Sequence, residues 1–415
     1  MTQGATHPNH AFRPMGATYL LGVFNDNFFK EAAILLAFAA GLSELQSPII
    51  KTFSIPFILF SAYAGYFADR FRKRNVVIAS KYLELFAMLL GAVGLIFMNF
   101  SLIVAMVFLM ALQSTLFGPA LNGAIPEVFP SRQVPKVNAL LKTVTTIAII
   151  LGIVTAGLIL DIRIPDASRI FPRLLLSAVI IAVAVTGVVF SHRLHTPPTK
   201  QQRPPFPWLG PIQSVRDSIA LKQSPRLRRA LFGSTFFYFS STLILAAIHE
   251  LCLTDLAFST SFTSALTGVL AIGVAAGSLL SVQLSKRYSH EQLFPPVVIL
   301  FGCMLLVASR AETTVLFTTK VDLALALLLT GALGGAFLIP LLTYIQVSPR
   351  GGEKGKVIGM NNFLDFCGIF VAGEMFGRLH PTFSAAKILA GMGGFSLMVA
   401  ILFSLTQPNK EASHA

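Results

Sequence analysis

The 415-residue chain is 54% hydrophobic and only 12% charged, with a mean hydropathy of +0.72. A soluble protein carries about a quarter charged residues, and the apolar runs here are continuous rather than alternating, which excludes a membrane β-barrel. The net charge of +14 suggests nucleic acid only until the charges are placed: most Lys and Arg fall in one alternate set of loops and termini. That is the positive-inside pattern, which predicts both termini in the cytoplasm and no nucleic-acid partner.

Apolar segments lie at about 15–42, 47–68, 75–98, 101–124, 136–160, 171–192, 229–252, 260–285, 293–311, 320–346, 356–379 and 383–406. Each is long enough to cross a bilayer, so an all-α membrane protein with twelve transmembrane helices is expected. The first segment is interrupted by Asn25-Asp26-Asn27-Phe28-Phe29-Lys30-Glu31. An ionisable group at that depth costs roughly 2.5–3.5 kcal/mol and normally faces a bundle interior or a wet cavity. Asp26 and Lys30 are four apart and share a helix face. Asp26 is the candidate coupling residue: it can take a proton, or bind Na⁺ with Asn25 and Asn27 beside it. The plainer alternative is a static Asp26–Lys30 pair. Ala37-Phe38-Ala39 has the look of a signal-peptidase site, but the polar run breaks the apolar core such a peptide needs, so the first helix is expected to stay.

Between the second and third segments stands Gly65-Tyr66-Phe67-Ala68-Asp69-Arg70-Phe71-Arg72-Lys73-Arg74. A connection this short calls for a small residue where the helices approach, an acid to cap or pair, and bases on the cytoplasmic side. Lys81 and Glu84, three apart in the third segment, are expected to pair along its surface. The fourth segment ends with Phe117-Gly118-Pro119 and Leu121-Asn122, then Ile125-Pro126. The fifth carries Asn138 and, one turn on, Lys142. An intramembrane lysine with no acid nearby in sequence either meets an anionic substrate or reaches Asp365 or Asp26 across a cavity.

One long polar linker, 193–228, is rich in Pro, Lys and Arg and holds the only tryptophan, Trp208. Within it Ile212, Val215 and Ile219 share a face, as in a short interfacial helix. The linker divides the chain into an N-terminal six-helix bundle, 1–192, and a C-terminal one, 229–415. A weak repeat supports duplication: Pro119 precedes Asn138-Ala139-Leu140-Leu141 as Pro340 precedes Asn361-Asn362-Phe363-Leu364. In the eleventh segment Asn361 and Asp365 are four apart, and of the adjacent pair Asn361 and Asn362 at most one lines a cavity. Glu374 and His249-Glu250 lie toward the outer side, where pairing or hydration is expected. Phe28, Phe29, Phe57 and Phe60 are candidates for an acyl slot, although packing is the plainer role.

No catalytic constellation is present. An acyltransferase needs His-x4-Asp, and His249 to Asp255 is one residue too long; there is neither a Gly-x-Ser-x-Gly nor a Walker Lys-Ser/Thr. Cys252, Cys303 and Cys367 show neither a disulfide framework nor metal spacing. No cofactor is expected beyond a coupling ion, H⁺ or Na⁺, and no metal site.

Two parallel halves joined by a cytoplasmic linker describe the major facilitator architecture. The run Gly65–Arg74 resembles that superfamily's loop signature, Gly-x-Leu-Ala-Asp-Arg-x-Gly-Arg-Lys/Arg, with Arg72 in place of the second glycine. The resemblance implies a gate built on Gly65, Asp69, Arg70 and Arg74, in which Asp69 pairs across the cytoplasmic face. The matching stretch Gly277–Arg287 keeps only the glycine and the bases.

A narrower resemblance, to the bacterial lysophospholipid transporter family and its acyltransferase-fused branch, rests on several runs. These are Leu21–Ala32, Lys81-x-x-Glu84, Phe117-Gly118-Pro119, Ile125-Pro126, Asn138-Ala139-Leu140 and Lys356–Asn362. It departs from that family at Leu121-Asn122, where Lys-Tyr is usual, and at Lys142, where an acid is usual. The resemblance implies a secondary transporter of the bacterial inner membrane that moves a lysophospholipid or related amphiphile by alternating access, possible partners being membrane lipid and a cytosolic acyltransferase. The candidate substrate- and ion-binding residues are Asn25, Asp26, Lys30, Asn122, Asn138, Lys142, Asn361 and Asp365. With a cation gained and an acid lost, the alternatives are an anionic cargo, such as a carboxylate siderophore, and proton-coupled drug efflux.

Overall fold

Continuous apolar runs become helices because hydrocarbon offers backbone N–H and C=O groups no partner, and a helix satisfies them within one segment. The computed structural model describes residues 8–130, 133–162, 170–196, 206–212, 225–285, 287–310, 320–348 and 354–406. Among these residues there are twelve long α-helices and no strand. The first six are α1 (Pro8–Ala39), α2 (Gln46–Arg70), α3 (Lys73–Phe97), α4 (Phe100–Val128), α5 (Val134–Leu160) and α6 (Phe171–His192). After the linker come α7 (Pro225–Glu250), α8 (Thr260–Leu284), α9 (His290–Ala308), α10 (Lys320–Val347), α11 (Lys354–Leu379) and α12 (Ala385–Leu405). Helix α7 runs on into a π-helical turn, Leu251–Asp255.

Ten helical segments among the described residues are long and apolar enough to cross a membrane. The two long helices that fall short are α1 and α11. They are the ones carrying Asn25-Asp26-Asn27 and Asn361-Asn362 with Asp365.

Turn chemistry fixes several helix ends. Met98 takes the left-handed conformation that closes α3, φ 55°, and the Asn99 side chain then accepts from the Leu102 N–H at 3.2 Å to start α4. Ser259, Ser289 and Ser384 cap α8, α9 and α12 in the same way, Ser289 with Gln292 as a full capping box. Each satisfies backbone donors left open by the first helical turn.

The chain divides into two compact units, Met1–Leu45 with Thr52–Pro211, and Gln46–Lys51 with Ile212–Ala415. In the first unit α1 packs on α5 and α6, and α3 on α4 and α6; in the second α7 packs on α11 and α12, and α9 on α10 and α12. Adding six to each helix number turns these contacts of the first unit into those of the second, while the extensive α8–α10 contact has no comparable α2–α4 match among the described residues. The first turns of α2 group with the second unit through Gln46 Nε2 to Ala246 O (3.3 Å), Ser47 Oγ to Gly373 O (2.7 Å) and a Lys51–Glu374 ion pair (2.7 Å).

Each unit anchors the end of its last long helix with arginine. Arg72 donates twice to Thr196 O, and Arg74 donates to Leu194 O and His192 O, just beyond α6 and at its final residue. Arg229 donates to Phe403 O (2.6 Å) and Thr406 Oγ1 (2.9 Å) at the end of α12, its guanidinium lying over the Phe403 ring. A cation at a helix C-terminus meets the negative end of the macrodipole and the open carbonyls together.

Helices α8 and α10 meet through glycines. A Cβ on Gly273, Gly277, Gly331 or Gly335 would collide with backbone of the facing helix, at Leu328, Ala332, Leu270 and Val274 respectively. Paired small residues four apart let two membrane helices approach this closely. Gly65 does not serve that purpose: a Cβ there would meet no atom within 4 Å. The expectation of a close α2–α3 approach at Gly65 is therefore corrected; the residue two after Arg70, Arg72, turns toward the end of α6 instead.

The described part of the linker, 206–212, lies on α2. Phe206 packs edge-on to Tyr66 (5.1 Å) and against Tyr63 (5.6 Å), with Trp208 edge-on beside it (4.8 Å) and 83% exposed. Val215 and Ile219 of the expected interfacial helix lie outside the described residues.

Candidate functional site

In each unit a buried or half-buried aspartate of a span meets neutral donors on a neighbouring helix. In the first, Asp26 turns toward α4, where Gln113 Nε2 donates to Oδ1 at 3.2 Å and Ser114 Oγ donates to Oδ2 at 2.5 Å. Lys30 does not close an ion pair with Asp26 among the described residues; its ammonium sits 5.0 Å above the Phe53 ring. The static Asp26–Lys30 pair is thus replaced by two separate arrangements, a carboxylate held by neutral donors and a cation held by an aromatic face. Glu31, next along, is buried.

Asn25 faces the other way. Its Nδ2 donates to Glu84 Oε1 (3.2 Å) on α3 and to Ile180 O (3.3 Å) on α6. Glu84 closes a 2.5 Å ion pair with Lys81, both side chains 0% exposed, and the ammonium lies 4.7 Å over the Phe117 ring. The pair was expected along the surface of its helix; it is wholly interior. Gly22 and Gly187 leave the room, since a Cβ on either would touch the lysine side chain. Phe28 and Phe29 are likewise fully buried, Phe29 against Gly91, so they pack helices rather than line a slot.

In the second unit Asp365 on α11, 4% exposed, faces α7. Ser234 Oγ lies 3.0 and 3.1 Å from its two carboxylate oxygens, Thr235 Oγ1 lies 3.4 Å from Oδ1, and Asn361 Nδ2 donates to Oδ2 at 2.7 Å. Asn361 is buried and Asn362 exposed, as adjacent positions on a helix require.

The other candidates fall elsewhere. Asn122 is exposed on α4; Asn138 and Lys142 lie on α5, with side chains outside the described residues. Asp69 and Arg70 are exposed at the end of α2, and Asp69 makes no hydrogen bond or ion pair among the described residues. Arg74 is committed to the end of α6. The neighbouring Lys73 pairs with Glu127 at 2.5 Å. Elsewhere in the second unit, Glu374 joins Lys51 and Arg378 (2.8 Å), and Glu250 lies 3.7 Å from His380.

Four residues escaped sequence reasoning: Gln113, Ser114, Ser234 and Thr235. Intramembrane hydroxyls usually return to the carbonyl four residues back, as Ser80, Thr115, Ser240, Thr330 and Ser396 do here. Ser114, Ser234 and Thr235 turn to a carboxylate instead. The only available signal was the adjacent pair Gln113-Ser114 inside an otherwise apolar helix.

A family model of the Major Facilitator Superfamily matches residues 15–373. The chain belongs to this superfamily. Among its relatives, the lysophospholipid transporter LplT of Pectobacterium carotovorum subsp. carotovorum is 26% identical over 370 residues, covering 84% of this chain and 81% of that protein. LplT of Escherichia fergusonii is 26% identical over 345 residues, 81% of this chain and 78% of that protein. Among solved structures, that of a D-xylose-proton symporter superposes with a TM-score of 0.76 over 97% of this chain and 98% of its own; at 12% identity it speaks to fold alone. The resemblances carried by Leu21–Ala32 and Gly65–Arg74 are borne out, and the protein is an all-α, multi-pass membrane protein with the major facilitator transporter fold.

Proposed function

We propose that this superfamily member is a secondary transporter of the bacterial inner membrane that moves a lysophospholipid or a close amphiphilic relative by alternating access. The observation that carries the reading is the setting of Asp26. It is an acid within a long helix, turned to a polar pair on α4, in a chain matched over four fifths of its length by lysophospholipid transporters. In this reading twelve spans form two bundles that rock about a central site, with both termini cytoplasmic.

A lysophospholipid presents a phosphate, a headgroup and a single acyl chain. Lys81 is closed to the phosphate because Glu84 and Phe117 enclose its ammonium. That leaves Lys30 and Lys142 to meet it, with Asp26 answering an amine or a coupling ion. A cytosolic acyltransferase is the natural consumer of such a cargo, and this chain itself performs no chemistry on it.

A second reading keeps the fold and changes the cargo. Lys142 stands where the lysophospholipid family usually has an acid, which favours an anionic solute such as a carboxylate siderophore. Liposomes holding the purified full chain separate the two. Lysophosphatidylethanolamine movement above that of protein-free liposomes supports the lipid reading. A signal from a tricarboxylate probe, with none from any lysophospholipid headgroup, overturns it.

A further inference from the structure

We propose that the Asp365 cluster between α7 and α11 is a sodium-ion site. It gathers hard oxygen atoms of the kind alkali and alkaline-earth cations select, both carboxylate oxygens, Ser234 Oγ and Thr235 Oγ1, and beside them stands Asn361, whose amide nitrogen meets the carboxylate and whose oxygen has no partner.

Three observations point to a cation there. The first is charge. Among the described residues Asp365 has no ion-pair partner, only the neutral hydroxyls of Ser234 and Thr235 and the Asn361 amide. Such donors stabilise an anion but leave its charge uncancelled in a setting where charge is expensive.

The second is independent of the carboxylate. Asn361 is 4% exposed and its Oδ1 has no hydrogen-bond partner, although its Nδ2 is 2.7 Å from Asp365. Buried carbonyl oxygens are rarely left this way, and one beside an anion has a ready use as a ligand to the same ion. The third is commitment: Ser234 and Thr235 forgo the carbonyl four residues back, which Ser240 and Thr242 on the same helix take.

A proton also cancels the charge, but it engages at most two oxygens, whereas Na⁺ takes up several at once. The Asp26 cluster is the poorer candidate. It has a single hydroxyl, it is partly exposed, and Lys30 is one turn away.

The proposal deepens the transporter reading by naming a coupling ion. Binding is measured without substrate, so failure of lysophospholipid transport and failure of sodium binding are separate results. The experiment uses the purified full chain in detergent, with thermal unfolding and radiolabelled sodium binding in NaCl, KCl or choline chloride at matched ionic strength. Sodium alone is expected to raise the midpoint, rising with the logarithm of its concentration. The shift should vanish in Asp365→Asn. Ser234→Ala and Thr235→Val keep the carboxylate and guard against a folding defect; each should weaken sodium binding about tenfold, the worth of one contact to a charged group. Equal effects of sodium and choline, a sodium shift that survives Asp365→Asn, or a midpoint that follows pH and ignores sodium would each overturn the proposal.

Discussion

Lys81 and Glu84, three residues apart on α3, form an ion pair from which solvent is wholly excluded, with Asn25 and Phe117 closing its remaining sides. Removing one partner of a buried pair strands the other charge and costs about 3–5 kcal/mol, whereas replacing both with apolar residues is often neutral. Glu84→Gln and Lys81→Met should therefore each lower the thermal midpoint of the purified protein strongly. The double variant Lys81→Met, Glu84→Leu should recover most of that loss. A double variant no better than either single one would assign the pair a role beyond packing.

The two motif glycines should respond in opposite ways. Gly277→Ala drives a methyl into the Ala332 backbone, an overpacking that costs about 1–3 kcal/mol. Gly65→Ala meets open space and gains helix propensity, up to about 1 kcal/mol. Thermal unfolding of the two variants side by side tests this.

Gln113 and Ser114 hold Asp26 through one donor each. A hydrogen bond to a charged group is worth about 1.5–3 kcal/mol, or roughly ten- to a hundredfold in an equilibrium constant. Ser114→Ala should reduce ion-coupled transport by about that factor while leaving the protein folded; Asp26→Asn should abolish coupling. Undiminished coupled transport in Asp26→Asn would remove Asp26 from the mechanism.

Phe206 fastens the linker to α2 by its contacts with Tyr63 and Tyr66. Aromatic pairs contribute about 0.5–1.5 kcal/mol beyond area burial. Phe206→Ala should make the segment around Trp208 cleave faster under limited proteolysis. Trp208→Ala removes a ring that is mostly exposed and should change the cleavage rate little.

Several of these features were legible in the sequence. Asp26, Lys30 and Asp365 stand out as charges in apolar runs, and the Lys81–Glu84 spacing names its own partner. The partners of the acids were hidden for a physical reason. Ser, Thr and Gln are tolerated in any membrane helix because they bond to their own backbone, so only tertiary packing shows which have turned elsewhere. Gly65 misled for a related reason: a motif records that a residue is small, not which neighbour it faces. Gly277, at the matching place in the repeat, has such a neighbour. The interior position of Lys81–Glu84 was equally out of reach, since spacing along one helix does not say whether that face meets lipid or protein.

The two helices too polar to pass for membrane spans differ in when their partners arrive. During synthesis α11 leaves the ribosome after α7, so Ser234 and Thr235 are already waiting for Asp365. Helix α1 comes first, and Gln113 and Ser114 follow it by nearly ninety residues. The nascent chain must therefore shelter Asp26, at the insertion channel or with a chaperone, until α4 emerges. Biogenesis of this protein should accordingly be most vulnerable at its opening helix.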